Sequence, residues 1–546
     1  MGYKNICNVL GKYLFYFSFI LFIPLIVAVH YEYFSDAPHP QRHSTVYFLS
    51  TIGITLGLSF IFSQIGKKTT RSILRRESIL LVAIIWLMTS LISALPFYLS
   101  KTLENPIDAY FEAMSGLTTT GATMMVPKNY DQKGNEIPIN YTNIHVPLEQ
   151  YSAYGTITPI KDPKTNKVIA TGIESVGKAI LFWRSFIQWL GGMGIVVLFL
   201  TVLPALTVGG KFLYHMETPG PIKESLTPRI KDTASILWKL YLGFTIAQVF
   251  LLIWTNKSMP FLDAVCIAFS TISTGGFSLK ANSIGGYHNF HTEWIVTLFM
   301  IIGSLNFSLY FHFLRGKIFK IYEPDFFVYL AFIILGSLGI TFSLVGKEQF
   351  LLDGTQSIYT LRSAFREGTF QAISAQTSTG FATVNYDLWP FFPQIILLCL
   401  MYVGGMAGST AGGIKTSRFY ILFKILAHKI EAIFKPEKVK KIKIGDREIT
   451  NATSTTVLAF FCIILLISVA SIIIFVFNGI DPESALGIVA CCINNIGMAF
   501  RAAGPDGSFI FLTPFLKLFS CFLMVLGRLE FFTILILFLP SFWKKA

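Results

Sequence analysis

Apolar positions in this chain come in long unbroken runs rather than in alternation. Runs near the roughly 20 residues that a helix needs to cross a bilayer cover Tyr13 to Val29, Val46 to Ile65, Ile79 to Leu99, Ala179 to Leu203, Ile236 to Trp254, Trp294 to Leu314, Phe326 to Val345, Phe391 to Val403, Val457 to Phe477 and Phe509 to Leu539. They predict about ten spans, the eighth short or interrupted. No small-residue cleavage site follows the first run, so it is expected to remain as a span.

Shorter apolar segments lie between paired runs, and they repeat. DAYFEAMSGLTTTGAT starts at Asp108, DAVCIAFSTISTGGFS at Asp263, EGTFQAISAQTSTGFAT at Glu367 and SALGIVACCINNIGMAF at Ser484. Thirteen residues on from each start stand Gly121, Gly276, Gly380 and Gly497. Alanine recurs at Ala113, Ala268 and Ala372, and serine at Ser115, Ser270 and Ser374. The fourth copy has drifted furthest. The predicted fold is an all-α polytopic membrane protein: two leading helices, then four helix, pore-loop, helix repeats around a central pseudo-fourfold pore. The expected boundaries are 1–70 for the leading helices, 71–210 for repeat one with an outer insertion at 126–172, 211–320 for repeat two, 321–448 for repeat three and 449–546 for repeat four.

The half-length segments are too short to cross and read as re-entrant helices that return as extended backbone. Such backbone is tolerated at membrane depth only where it is buried in protein or lines a wet cavity. Backbone carbonyls can replace the water shell of a cation without placing full charges in the membrane. Glycine supports this by reaching positive φ without a clashing Cβ. The candidate coordinating residues are therefore Thr119, Thr120 and Gly121; Thr274, Gly275 and Gly276; Ser378, Thr379 and Gly380; and Asn495, Ile496 and Gly497. One such turn alone would read as a surface loop. Four in one register, each between spans, do not.

Composition agrees: 53% of the 546 residues are hydrophobic and 14% charged, against roughly 25% charged in soluble domains. The net charge of +14 does not indicate a nucleic-acid partner. Its Lys and Arg residues cluster in Lys67 to Arg76, Lys211 to Lys231, Arg315 to Lys320 and Lys415 to Arg447, as a collar facing membrane lipid. The positive-inside rule places these segments and both termini in the cytoplasm. The densest, KPEKVKKIKIGDRE, is long enough to touch anionic lipid or a cytosolic partner. Six of the seven cysteines lie in apolar stretches, without CxxC, and read as small core residues. The nine scattered histidines form no HExxH and no catalytic set, which leaves enzyme chemistry without support. The alternative to a channel-like uptake subunit is a symporter coupled to protons or sodium; it calls for a midplane relay of acids or histidines, and none is evident.

The four repeated segments, together with FWRSFIQWLGGMGIVV (Phe182 to Val197), GGMAGSTAGGIKT (Gly404 to Thr416) and NNIGMAF, resemble the TrkH and KtrB superfamily of potassium transporters over nearly the whole chain. The two extra leading helices match the TrkH branch. The resemblance implies a homodimer in the bacterial inner membrane with one pore per subunit. It implies potassium as the transported ion, no organic cofactor in this chain, and gating by a separate cytosolic nucleotide-binding subunit of the TrkA type. Sodium-preferring plant relatives often carry serine at the first filter position, so Gly121 implies potassium.

The resemblance also implies that the segment holding Gly404, Gly405, Gly408, Gly412 and Gly413 is an intramembrane loop blocking the path below the filter, with Arg528 near that gate. Read from the residues alone, the glycines interrupt a helix or form a helix-packing face. GSTAGGIKT departs from the phosphate-binding GxxxxGK[ST] at Ile414 and follows no strand. Arg528 lies within the last long run, where a charge marks a functional site or a salt bridge to a neighbouring helix. Glu530, two positions on and roughly 200° around a helix, is expected to point elsewhere. Arg184, Arg366, Asp108, Asp263 and Glu367 fall near outer helix ends, the acids as caps on pore helices. The insertion at 126–172, with NYDQKGNEIPINYTN, is longer than the family connection and reads as an outer loop or small hairpin over the pore mouth.

Overall fold

In lipid a backbone must satisfy its own hydrogen bonds, which makes helices of the long apolar runs. The computed structural model describes residues 2–35, 43–67, 74–142, 150–161, 168–194, 230–316, 323–350, 356–435, 443–444 and 447–544. Helices α1 (Tyr3–Ile20) and α2 (Phe22–Tyr33) join through Leu21 into one 31-residue span, longer than the expected Tyr13 to Val29. It packs on α3 (Ser44–Ile65), where Ser59 Oγ donates to the Gly11 carbonyl at 2.7 Å. A side chain on Gly11 would strike the Ser63 backbone, so glycine permits this approach.

The same order of elements then recurs four times. The first copy has α4 (Arg75–Leu99), α5 (Pro106–Leu117) and α6 (Lys178–Gly192). The second has α7 (Ile230–Thr255), α8 (Phe261–Ile272), α9 (Phe290–Ser304) and α10 (Phe307–Leu314). The third has α11 (Pro324–Leu344), α12 (Leu361–Gln376), α13 (Phe391–Val403) and α14 (Thr416–Phe434). The fourth has α15 (Asn451–Phe477), α16 (Pro482–Asn494), α17 (Pro514–Arg528) and the short α18 (Phe532–Leu535) and α19 (Pro540–Trp543). The long opening helices carry exposed apolar faces, including Ile246, Phe250 and Trp254 on α7 and Leu465, Ile473 and Phe477 on α15. Such continuous apolar surface has lipid as its solvent, and the protein is a multi-pass membrane protein.

The closing helices span 15, 15, 13 and 15 residues. Helix α13 matches the expected short run Phe391 to Val403, whereas the second and fourth depart from expectation. The expected full spans Trp294 to Leu314 and Phe509 to Leu539 are bent by 93° and 114°. At the first bend Asn306 restarts the helix by accepting from the Ser308 amide at 2.9 Å. At the second, Glu530 and Phe531 take φ of 54° and 45°. Among the described residues, six helices are long and apolar enough to cross, or up to eight with each bent pair as one span, and Phe391–Val403 is one of the shorter apolar helices. The end of the run Ala179 to Leu203 and the basic stretch 211–229 lie outside the described residues, as do most of 68–73, 317–322 and 436–446.

Two further readings need correction. Cys399 and Cys462 are exposed, not core: an apolar run looks alike whether it faces lipid or protein. Asp108 and Asp263 do lie in first turns, where the helix dipole suits an acid. Glu367, however, sits in the second turn of α12 and accepts from Tyr359 Oη and Gln349 Nε2, each at 2.7 Å, so it caps nothing.

The insertion forms three two-stranded antiparallel hairpins: β1 (Asn129–Tyr130) with β2 (Glu136–Ile137), β3 (Ile139–Thr142) with β4 (Gln150–Ala153), and β5 (Ile160–Lys161) with β6 (Val168–Ala170). Tyr151 stacks on Phe511 at 5.0 Å and donates to Asp481 Oδ1 at 2.9 Å, which ties the first copy to the fourth.

Candidate functional site

Each short helix ends in the same backbone turn. Thr119, Thr274, Ser378 and Asn495 adopt left-handed φ of 56°, 52°, 54° and 52°, and two residues on Gly121, Gly276, Gly380 and Gly497 have φ of 84°, 79°, 82° and 78°. Left-handed backbone is costly outside glycine, and its recurrence in all four copies shows that the surroundings enforce it. The intervening amides of Thr120, Gly275, Thr379 and Ile496 each bond the carbonyl five residues back, at 2.8, 2.8, 3.0 and 3.2 Å. Two of the three recurrent serines act here too: Ser115 Oγ donates to the Ala122 carbonyl at 2.6 Å and Ser374 Oγ to that of Phe381 at 2.7 Å, whereas Ser270 Oγ makes no such bond.

The four segments close into a ring. A Cβ added to Gly121 would meet the Gly275 carbonyl oxygen, one on Gly276 that of Thr379, one on Gly380 that of Ile496, and one on Gly497 that of Thr120 at 2.6 Å. Each glycine thus lies against the carbonyl of the next segment, and the fourth returns to the first. All four glycines are partly exposed between buried neighbours, so they border a lumen. The ring offers neutral backbone oxygens with no net charge, a donor set suited to a monovalent cation stripped of water. In the drifted fourth segment Asn495 Nδ2 donates to Thr120 Oγ1 and to the Met524 carbonyl, both at 2.9 Å, and so holds segment four against segment one.

Beneath the ring runs the loop 404–415. Its start is allowed by Gly404 at φ 68°, and Gly408 and Gly413 take φ of 76° and 71°. Gly405 packs against Ser304 and Ala411 with no room for a side chain. Thr410 Oγ1 donates to the Gly303 and Ile272 carbonyls at 2.9 and 3.0 Å, and the Gly412 amide donates to Ser378 Oγ at 2.5 Å. A Cβ on Gly412 would strike the Asn494 carbonyl, so the loop touches the ends of the second, third and fourth short helices. Lys415, buried, turns its Nζ back onto the Ala411 carbonyl, which leaves the near-match to a phosphate motif as a loop-bracing group.

Arg528 completes this floor under the first segment. Its Nη1 donates to Thr119 Oγ1 at 3.2 Å and the Thr410 carbonyl at 3.0 Å, its Nη2 to the carbonyls of Gly191 and Gly192 at 2.5 and 2.7 Å. The C-terminal carbonyls of α6 favour a cation there. Arg528 is the last residue of α17 rather than the middle of a continuous span. Glu530 therefore lies beyond the helix, and the helical-wheel reason for its direction fails; it accepts from Arg418 at 2.8 Å. Sequence reasoning also missed Glu112, Gln188 and Thr410, although FWRSFIQW already showed a polar pair four residues apart inside an apolar run.

Four re-entrant helices around a carbonyl ring, held within lipid-facing helices, define the class as a helical membrane transporter. Residues 163–545 match the family model TrkH, described as a cation transport protein, and the chain belongs to that family. The Trk system potassium uptake protein TrkH of Salmonella typhimurium is 32% identical over 549 residues, covering 100% of both chains. TrkG of the same system in Escherichia coli K12 is 31% identical over 551 residues and 99% of each. The crystal structure of the potassium transporter TrkH from Vibrio parahaemolyticus superposes with a TM-score of 0.77 at 29% identity, covering 100% of both chains. The family expected from the motifs is the family found.

Proposed function

We propose that this chain is a channel-like potassium uptake subunit in which the ring at Gly121, Gly276, Gly380 and Gly497 replaces the ion's water and the loop 404–415 with Arg528 obstructs the path beneath. The observation that carries this reading is the cyclic glycine-to-carbonyl contact of the four segments. The chain's relatives are named as a potassium uptake protein and a potassium transporter, which agrees with this reading. Two buried acids of the first copy, Glu112 and Asp108, are tied to Arg184 and Lys517 at 2.7 and 2.6 Å, which leaves neither free to relay protons. In this reading the termini and the basic segments face the cytoplasm, two copies pair, and a separate TrkA-type nucleotide-binding subunit sets the position of the loop.

Purified protein in liposomes, with potassium and sodium flux measured without partner or proton gradient, tests it. Potassium-selective flux under these conditions is expected. Flux that requires an imposed proton or sodium gradient identifies a coupled symporter instead. Gly121→Ser should cut the potassium-to-sodium ratio by about tenfold, since a Cβ at positive φ displaces one quarter of the ring; an unchanged ratio removes Gly121 from the filter.

A further inference from the structure

Helix α6 carries two polar side chains into a buried apolar layer, and neither belongs to the ring or to the floor beneath it. Arg184 and Gln188 stand four residues apart, hence on one face of the helix. Both are buried, as is Glu112 of α5. We infer that Arg184 and Gln188, through their hold on the first two segments, are positioning residues that set the ring's preference among monovalent cations; this rests on the proposed role of the ring.

Gln188 brackets Gly276. Its Nε2 donates to the Gly275 carbonyl at 2.6 Å and its Oε1 accepts from the Phe277 amide at 3.1 Å. The Gly275 carbonyl is the one against which Gly121 packs, so it belongs to the ring. A carbonyl oxygen has two acceptor directions. With one taken by a fixed amide, the carbonyl cannot swing to follow an ion of different radius.

Arg184 extends the hold. Its Nη1 donates to the Ser278 carbonyl at 3.0 Å, and its guanidinium lies 3.5 Å from the centre of the Phe277 ring. Its Nε donates to Glu112 Oε1 at 2.7 Å. Glu112 in turn accepts from the Met124 amide at 2.7 Å and from Thr123 Oγ1 at 3.1 Å, just past Gly121. One helix face thus spaces segment two directly and segment one through a carboxylate. The corresponding helices direct their polar groups elsewhere: Gln394 of α13 donates to the Asp387 and Trp389 carbonyls, and Lys517 of α17 pairs with Asp108. The ion pair also matters as charge, because an uncompensated guanidinium this close to the ring repels a cation in a medium of low dielectric.

The test is potassium and sodium flux in proteoliposomes, with thermal unfolding recorded on the same samples. Gln188→Leu keeps the volume and removes both bonds; it should lower the potassium-to-sodium ratio about fivefold, the weight of the one buried hydrogen bond that holds the Gly275 carbonyl. Gln188→Glu keeps the acceptor for Phe277 but sets a carboxylate oxygen against the Gly275 carbonyl, and should lower the ratio at least as far as Leu. Glu112→Gln should reduce flux of both ions, and adding Arg184→Met should restore it, since the double change removes the charge imbalance. A merely structural pair predicts the reverse order, with the double variant worst. Parent-like ratios in folded Gln188→Leu and Gln188→Glu overturn the inference; if Leu does not fold, Glu alone decides. A parent that passes potassium selectively while the variants match it sinks only the positioning role. A parent without potassium flux sinks the transport reading as well.

Discussion

The ring and the floor beneath it are built on opposite principles. The ring uses one backbone turn four times, with φ values at the glycines that agree within 78° to 84°. The floor uses two unlike elements once each: the loop 404–415 from the third copy and Arg528 from the fourth. Repetition suits coordination, because an ion on an axis is best met by equal oxygens at equal distance. Control, in the proposed function, falls to the single loop, which Thr410 and Gly412 fasten to the ends of the second and third short helices. The difference teaches that selectivity and flux should respond to separate substitutions.

The largest break in that comparison comes from the ring. Gly276→Ala places a Cβ at φ 79° against the Thr379 carbonyl and should reduce potassium flux on the order of 100-fold. A folded variant with parent flux would show that the close glycine contact is not needed. Deleting residues 408–412 acts on the floor. Removal of an obstruction worth about 1.4 kcal/mol should raise flux about tenfold with the potassium-to-sodium ratio unchanged; an assembled deletion protein that conducts no faster dismisses the loop as the obstruction.

Arg528→Ala should raise flux about fivefold, because the cation it repels sits in a region of reduced dielectric, whereas Arg528→Lys should stay near the parent. Reduced thermal stability with no gain in flux for Ala would instead assign Arg528 to holding the C-terminal carbonyls of α6. Thr410→Val keeps the shape but removes the bonds to Ile272 and Gly303. It should raise flux by about twofold to threefold through a looser loop, with net hydrogen bonds near 1 kcal/mol each; a change in ion preference would blur the division between ring and floor. The smallest effect belongs to Tyr151→Phe, outside both regions. Loss of its two bonds to Asp481, one donated to Oδ1 and one accepted from the amide, should cost about 2 kcal/mol of stability and leave flux and ion preference alone.

The register of the ring was legible in the chain because spacing is local. Thirteen residues separate Asp108, Asp263, Glu367 and Ser484 from their glycines, and each of these positions lies within its short helix, so the helix carries that spacing into space. The glycines of 404–413 marked a helix interruption for the same reason, since glycine acts on its own backbone. The breaks at Leu305 and Phe531 were not read from hydropathy: Gly303, Ser304 and Asn306 stand at the first and Gly527, Arg528 and Glu530 at the second, but the long apolar stretches on both sides carry each run past them. Nor did the apolar pattern separate Cys399 and Cys462 from the core, because lipid and protein interior select the same side chains.

By itself the sequence determined that this is a membrane protein of repeated re-entrant helices, and which four glycines end them, since hydrophobic run length and glycine placement act within a few residues. The cyclic order in which each glycine meets the next carbonyl was decided only by tertiary structure. So were the meeting of Arg528 with Thr119 and Thr410 and the reach of Gln188 to Gly275. These contacts join residues dozens to hundreds of positions apart, and no local preference encodes a distance that the packing of whole helices sets.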